Sequence, residues 1–330
     1  MATAALEKTL LHILSDQRFH SGSELAAALQ VSRTAVWKAI RGLESLGLPV
    51  SAVPGKGYRV AGPLELLNAA AIEAGLTPEA RALLTGLELH DRIDSTNSQL
   101  LRAAAAGADA GRACLAETQT AGRGRVGRRW LSPLGANIYL SLLWRYDEPS
   151  QAAGLSLALG VAVLRALAEV GVTGVGLKWP NDFLWNERKL GGLLVEVVGE
   201  SHGSCAVVAG LGLNRHLPRE WGRNLDQAWT DLTEIAGSAL PSRNRLAAAL
   251  LNQLLPVLAG YPASGLSAYL TEWRAHHHLQ GREAVIRQGD AWIRGRILDV
   301  TAAGFLLLEC ADGARREFAS GDLRLRLAGS

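Results

Sequence analysis

Cysteine is scarce in this chain: Cys114, Cys205 and Cys310 are the three in 330 residues, odd in number and far apart. That argues against a disulfide-stapled scaffold and sets the expectation of a reducing compartment, the cytoplasm. Long apolar runs are missing too. The longest uncharged one, Ala152–Leu164, has 13 residues, too short to span a bilayer and better suited to a buried helix. The start, Met1-Ala2-Thr3-Ala4-Ala5-Leu6-Glu7, has no basic stretch leading into an apolar one, so neither a secretory leader nor a membrane association is expected. Motifs for covalent or zinc chemistry are also absent. There is no His-Glu-x-x-His, no Gly-Lys-Ser/Thr of a phosphate-binding loop, and Gly154-Leu-Ser156-Leu-Ala158 misses Gly-x-Ser-x-Gly at its last position.

What is present is a hydrophobic content of 48% against 20% charged residues, the balance of a globular protein with a large core. The length suits two or three domains at about 100–200 residues each. Charge is uneven: residues 1–62 hold seven Lys/Arg against four acids, which accounts for the whole chain's net charge of +3. A polyanion is expected to bind there.

Residues 1–62 read as a winged helix-turn-helix. Leu6, Leu10, Ile13 and Leu14 share a helical face, and Ser21 with Glu24 spells a capping box for a short second helix. Ser32 caps a third, from Arg33 to about Leu46, whose Val36, Ile40 and Leu43 face inward. That leaves Arg33, Thr34, Trp37, Lys38 and Arg41 facing outward. Residues 50–53 and 58–60 form a wing with Lys56 at its tip. Such a unit puts its recognition helix in a major groove and holds phosphates with flanking basics, so Ser32, Arg33, Thr34, Trp37, Lys38, Arg41 and Lys56 are the candidate DNA contacts.

Residues 63–275 mix strands and helices. Cys114–Glu117, Asn137–Trp144, Leu193–Val198, Ala206–Ala209 and Gly210–Asn214 read as strands, and Leu155, Leu159, Val163, Leu167 and Val170 as one helix face. Residues 64–85 look like bridging helices, and residues 243–275 are helical again. Antiparallel pairs within a mixed order argue α+β. From residue 276 on, short strands punctuated by Gly289-Asp290 and Asp312-Gly313 suggest a small β-barrel of SH3-like size.

Two clusters carry the chemistry. Gly122-Arg123-Gly124-Arg125-Val126-Gly127-Arg128-Arg129-Trp130 packs three glycines and four arginines into nine residues. Glycines admit close backbone approach and arginines offer bidentate donors, so a mobile loop closing over an anion is expected. Its Gly-x-Gly-x-x-Gly spacing is not a dinucleotide fingerprint, because Ser132-Pro133 and Gly135 follow where a helix is required. The second cluster is Lys178-Trp179-Pro180-Asn181-Asp182, followed by Lys189-Leu190-Gly191-Gly192. Arg123, Arg125 and Arg128 can neutralise a triphosphate and a carboxylate held together, with Lys178 and Lys189 adding charge. Asp182 is the candidate carboxylate for Mg²⁺, and Trp130, Trp179 and Trp185 are candidates to line an apolar pocket. The implied reaction is carboxylate attack on a nucleotide phosphorus, giving an acyl-adenylate. His276-His277-His278 is not expected to bind metal, since adjacent side chains diverge.

These strings, with Asp94-Ser95-Thr96-Asn97, Glu117-Thr-Gln119, Trp130-Leu-Ser-Pro133, Gly135-Ala-Asn137 and Gly210-Leu-Gly-Leu-Asn214, resemble biotin protein ligases. His20-Ser-Gly and Val53-Pro-Gly-Lys-Gly-Tyr58 resemble the bifunctional bacterial form that also represses the biotin operon. The resemblance runs from about residue 6 to 325. It implies ATP-dependent formation of biotinoyl-5′-AMP and transfer to a lysine of the biotin carboxyl carrier protein of acetyl-CoA carboxylase. It also implies an adenylate-bound homodimer that binds operator DNA. Carried over by position, Ser95, Thr96, Asn97 and Gln119 would take the biotin ureido ring, and Arg123, Gly124 and Arg125 would order over biotin and adenylate. Trp130 belongs to the same pocket, and Lys189 would bond the biotin carboxyl. Arg125 and Lys189 are the catalytic candidates, while Gly192 and Gly212 would admit biotin to the backbone. Arg125, Arg128, Lys178, Asn181, Asp182 and Asn214 would serve ATP and Mg²⁺. One departure stands out: the family carries an acidic residue four positions after the tryptophan matching Trp273, where this chain has His277. The rival readings are a ligand-sensing transcription factor without ligase activity and a lipoate ligase.

Overall fold

The computed structural model describes residues 2–62, 64–199, 203–223, 225–288, 291–319 and 324–327. The N-terminal unit has helices α1 (Ala2–Leu14), α2 (Gly22–Leu29) and α3 (Arg33–Ser45) and a wing of β1 (Val50–Val53) and β2 (Gly57–Val60). The capping box is made: Ser21 Oγ accepts from the Glu24 N–H at 3.1 Å, and Glu24 Oε2 accepts from the Ser21 N–H at 2.8 Å. Ser32 Oγ starts α3 by accepting from the Ala35 N–H at 3.2 Å. Leu10, Leu14, Leu25, Val36, Ile40 and Leu43 close the small core. Gly57 has no side chain because a β-carbon there would collide with the His20 backbone, which pairs with Tyr58 to hold the wing against the helices.

Helices α4 (Ala69–Ala74) and α5 (Pro78–Leu83) lead into a seven-stranded sheet. Its strands are β3 (Gly86–His90), β4 (Arg112–Ala116), β5 (Ile138–Tyr146), β6 (Gly176–Lys178), β7 (Asp182–Trp185), β8 (Arg188–Gly199) and β9 (Cys205–Leu213), in the order β3-β4-β5-β9-β8-β7-β6. Only β3 and β4 run parallel; the other pairs are antiparallel, as the α+β reading requires. The strings read as two strands, Ala206–Ala209 and Gly210–Asn214, form the single strand β9, since glycines 210 and 212 pair in register without breaking it.

Helix α6 (Thr96–Ala105) covers one face of the sheet, with Leu100 packed among Cys114, Leu143, Ala206 and Val208. The other face carries α7 (Leu155–Glu169) and α10 (Arg243–Ser264). Short helices α8 (Arg219–Gly222) and α9 (Leu232–Ala236) lie between β9 and α10. Helix α10 is long and apolar enough to cross a membrane by length and composition. Its Leu246, Leu250, Leu251, Leu254, Leu255 and Leu258 are instead buried in the core, each worth about 1.5–3 kcal/mol there.

After α11 (Ser267–Ala275) the chain forms a five-stranded antiparallel sheet. Its strands are β10 (Glu283–Gln288), β11 (Ala291–Val300), β12 (Leu306–Cys310), β13 (Arg315–Phe318) and β14 (Arg324–Leu327), in the order β13-β12-β11-β10-β14. Among the described residues no pairing closes β13 onto β14. The expected turn at Gly289-Asp290 lies outside the described residues. His276–His278 runs beside β6, with Leu177 N–H donating to the His276 carbonyl and His278 N–H to the Leu177 carbonyl, both at 2.8 Å. Trp179 joins the two units: its Nε1 donates to the Gly304 carbonyl at 3.1 Å.

Candidate active site

Sheet register assembles the site. The antiparallel pairs Ile138↔Leu213, Gly191↔Leu213 and Asp182↔Gly192 put the start of β5, the end of β9, the start of β7 and the first half of β8 at one end of the sheet. Gln119, just beyond β4, bridges to Ile93 at the same end, beside the N-terminus of α6. There a cavity of about 1700 Å³ opens, lined by Ser95, Thr96, Asn97, Gln119, Arg123, Gly124, Arg125, Arg128, Trp130, Lys178, Asn181, Asp182, Lys189, Gly192, Gly212 and Asn214. Apart from Trp185, the residues that sequence reasoning placed at the ligand site thus reach one cavity, from segments 119 positions apart at their extremes.

The Gly-Arg segment, expected as a mobile loop closing over an anion, folds here as a hairpin. Arg123 and Arg129 pair across it, Gly124 N–H donates to the Arg128 carbonyl at 2.7 Å, and Trp130 N–H to the Gly122 carbonyl at 2.9 Å. Its tip turns through Val126 and Gly127, both left-handed, with φ of 55° and 68°. No helix follows, so the phosphate-cradling geometry of a dinucleotide fold is not formed.

One end of the cavity is a neutral hydrogen-bonding pocket. Ser95 caps α6, which puts Thr96 and Asn97 in its buried first turn. Gln119 Oε1 accepts from the Thr96 N–H at 2.9 Å. Ser141 Oγ stands 2.7 Å from Thr96 Oγ1 and 2.6 Å from Asn97 Oδ1. A β-carbon on Gly210 would collide with Asn97 Oδ1, so this glycine makes room for the polar cluster. Asp94 is held at a pKa of about 2, chiefly by its hydrogen bonds from Arg102, so it anchors the helix start as an anion.

The other end is charged. Lys189 Nζ pairs with Asp182 Oδ1 at 2.7 Å and stands 5.8 Å from the centre of the Trp130 ring. Arg125 donates to Asn181 Oδ1 at 3.4 Å, and the Asn181 amide donates to the Leu193 carbonyl. A β-carbon on Gly192 would lie 2.9 Å from Asp182 Oδ1, and one on Gly212 would collide with the Trp130 indole. Both glycines therefore face side chains of the site. The indole Nε1 of Trp130 is buried without a hydrogen-bond partner.

Trp185 corrects the sequence reading: it is not among the residues lining the cavity, and the Arg188 guanidinium lies 5.4 Å from its ring centre. Trp179 is almost wholly buried and serves as core as well as wall. Sequence reasoning missed Ser132 and Ser141, which orient Gln119 and Thr96. It missed Glu196, which accepts from both Arg123 and Asn97. It also missed the wall formed by Leu217, Trp221, Leu225 and Trp229. Apart from Ser132, inside the Trp130-Leu-Ser-Pro133 string, no motif marks these, because their role comes from tertiary packing and not from spacing. Glu88, His90 and Cys114 also cluster, but the Glu88 carboxylate already accepts from Arg112 at 2.9 Å and Gln99 at 3.1 Å. That guanidinium occupies the place a cation would take, and burial pushes the Cys114 thiol up to about 12.

On the N-terminal unit, Arg33, Thr34, Trp37, Lys38 and Arg41 form one exposed face of α3, with Trp37 49% exposed. Arg41 stands 5.6 Å from the Trp37 ring centre, and Lys56 and Arg59 flank Phe19 at the wing.

Comparison with known proteins agrees with this anatomy. Residues 89–214 match the biotin/lipoate A/B protein ligase family, residues 7–59 an HTH domain and residues 281–326 the biotin protein ligase C-terminal domain. The chain is 39% identical over 329 residues to the bifunctional ligase/repressor BirA of Salmonella typhimurium, covering 99% of this chain and 100% of that one. It is 32% identical to the BirA of Bacillus subtilis, covering 98% and 99%. The biotin protein ligase of Aquifex aeolicus, solved with biotin and ATP, superposes with a TM-score of 0.63 at 27% identity, over 74% of this chain and all of that one. The chain belongs to the family of bifunctional biotin ligase/repressors.

Proposed function

We propose that this protein is an ATP-dependent biotin ligase. A biotin carboxylate oxygen attacks the α-phosphorus of ATP, releasing pyrophosphate and giving biotinoyl-5′-AMP. The ε-amine of a lysine on the biotin carboxyl carrier protein of acetyl-CoA carboxylase then attacks the acyl carbon, and AMP leaves. The observation that carries this reading is the division of one cavity into a neutral hydrogen-bonding end at Thr96, Asn97 and Gln119 and a cationic end at Lys178, Lys189 and the Gly-Arg hairpin. The first suits a ureido ring, the second a carboxylate beside a triphosphate. Biotin would satisfy the orphaned Trp130 Nε1 or displace the indole from Gly212.

Lys189 is already in an ion pair with Asp182. A bound carboxylate would take over the ammonium and free Asp182, and the donor set there fits Mg²⁺, which takes one or two carboxylates plus phosphate oxygens. Bound with ATP, Mg²⁺ would neutralise triphosphate charge. Asn181, Asn214 and Arg128 would hold the nucleotide beside it, and Arg125 would retain the adenylate.

The N-terminal unit would bind operator DNA through Ser32, Arg33, Thr34, Trp37, Lys38, Arg41 and Lys56, making the adenylate-loaded protein a repressor of biotin synthesis genes. A homodimer presents two such helices to a palindromic site. Support for dimerisation comes from β8: β7 pairs with it only between Arg188 and Gly192, leaving the later half with one neighbour. Val197 and Val198 on that half are 42% and 56% exposed, an edge open to a second copy. Cytoplasmic placement is supported by three buried, unpaired thiols.

The decisive experiment offers the purified protein Mg·ATP with biotin or with lipoate, following pyrophosphate release and adenylate mass. Biotinoyl-adenylate establishes the ligase. Lipoyl-adenylate alone moves the substrate to lipoate, and no adenylate with either acid leaves a DNA-binding protein without this chemistry.

A further inference from the structure

Asn137, the last residue of the Gly135-Ala-Asn137 string, is fully buried and does not line the cavity. Its side-chain polar atoms are nonetheless committed to residues 214–216, the segment that leads into the cavity's far wall. Its Oδ1 accepts from the backbone N–H of Arg215 at 3.0 Å and of His216 at 3.3 Å. Its Nδ2 donates to Asn214 Oδ1 at 3.3 Å, and its carbonyl accepts from Arg243 at 3.0 Å. Asn214 Nδ2 is spent on the Thr230 carbonyl at 3.1 Å.

These bonds close the stem of a loop. On one side Asn137 grips residues 214–216. On the other, Leu217 N–H donates to Asp231 Oδ2 at 2.9 Å and Thr233 N–H to the Arg215 carbonyl at 3.2 Å. Between the two ends run Trp221, Leu225 and Trp229, wall residues of the cavity. Two backbone N–H groups and the Asn214 amide oxygen are satisfied here by a single side chain, and leaving such groups unpaired costs about 1–3 kcal/mol each.

We infer that Asn137 is a positioning residue for the nucleotide end of the site. It fixes the rotamer of Asn214 and the stem of the 215–231 loop, and so sets ATP binding without touching ATP. The inference rests on the assignment of that end to ATP.

The test is Asn137→Ala in the full-length protein, with steady-state adenylate formation varied separately in ATP and biotin and hydrogen exchange measured without ligand. The expected result is a KM for ATP raised about 10- to 100-fold, by analogy with the loss of partners that orient metal-binding side chains. KM for biotin should stay near the wild-type value, with faster exchange confined to residues 214–231. Asn137→Asp keeps both acceptor bonds, replaces the donor to Asn214 with a carboxylate oxygen facing Asn214 Oδ1, and leaves the bonds to the loop stem in place. It should show a smaller rise in KM for ATP and near-native exchange in the loop, and it decides the matter if the alanine variant does not fold. Equal shifts in both KM values, or an unchanged KM for ATP in a folded variant, would overturn the inference. Failure of the wild-type protein to form an adenylate would instead overturn the functional assignment itself.

Discussion

Lys189 and Asp182 stand on neighbouring strands, β8 and β7, with 2.7 Å between ammonium and carboxylate, at the point where the cavity's charged end begins. Each is mostly shielded from solvent, so the pair holds both side chains in place before any ligand arrives. Replacing Lys189 with Gln removes the cation meant for the substrate carboxyl. Pyrophosphate release should fall by about 10²–10³-fold, as for loss of one preorganised donor, with thermal stability little changed. A loss of under tenfold would remove Lys189 from the reaction.

A second prediction concerns the buried ion pair of Arg243 and Glu117, 2.6 Å apart. Arg243 also donates to the carbonyls of Glu65 and Asn137, and Glu117 accepts from the Leu67 N–H. The pair thus ties the segment after the winged helix to the strand that leads into the Gly-Arg hairpin. Arg243→Met strands a buried carboxylate and should cost about 3–5 kcal/mol in urea unfolding.

Acid should act through His277. Burial is the main cause that lowers its pKa from 6.5 to about 4, and neither ring nitrogen has a hydrogen-bond partner. Between those values the unfolded chain binds a proton that the folded chain refuses, so stability rises with pH across that window and falls as pH drops through it. His277→Phe should flatten this dependence, removing roughly 3 kcal/mol of destabilisation near pH 4 relative to pH 7. The readout is the unfolding midpoint in urea at each pH, and parallel curves for the two proteins would disprove the assignment.

For DNA, Lys56→Ala should weaken binding across all sequences and reduce the slope of log K against log salt by about one. Arg33→Ala should also blur base preference at one position. Unchanged affinity in a Lys56→Glu, Arg33→Ala double variant would exclude this face of α3.

The open half of β8 predicts a further effect. Val198→Asp puts a charge on the edge where a second copy would pair, and sedimentation of the adenylate-loaded variant should show monomer while adenylate formation continues. Dimers of the variant would place the interface elsewhere.

Much of this was legible in the chain's order. The capping box at Ser21, the N-cap at Ser32 and the inward spacing of Val36, Ile40 and Leu43 are local signals, decided within a turn or two of helix. The Gly-Arg string and the Lys178–Asp182 string were visible because they concentrate residue types that cost stability unless a ligand uses them. Glu196, Ser141 and Arg243 were not visible. Each is an ordinary residue within a strand or helix, and each acts on a partner between 44 and 126 positions away.

Sequence alone determined which elements form and which side chains bear charge or fit a tight turn, because those depend on neighbours a few residues off. Tertiary structure decided that Lys189 meets Asp182, that Trp130 lies on Gly212 and that Trp185 turns away from the cavity. The first and last follow from the register of seven strands, where a shift of one residue moves every side chain to the opposite face, and the second from the Gly-Arg hairpin that carries Trp130 onto β9.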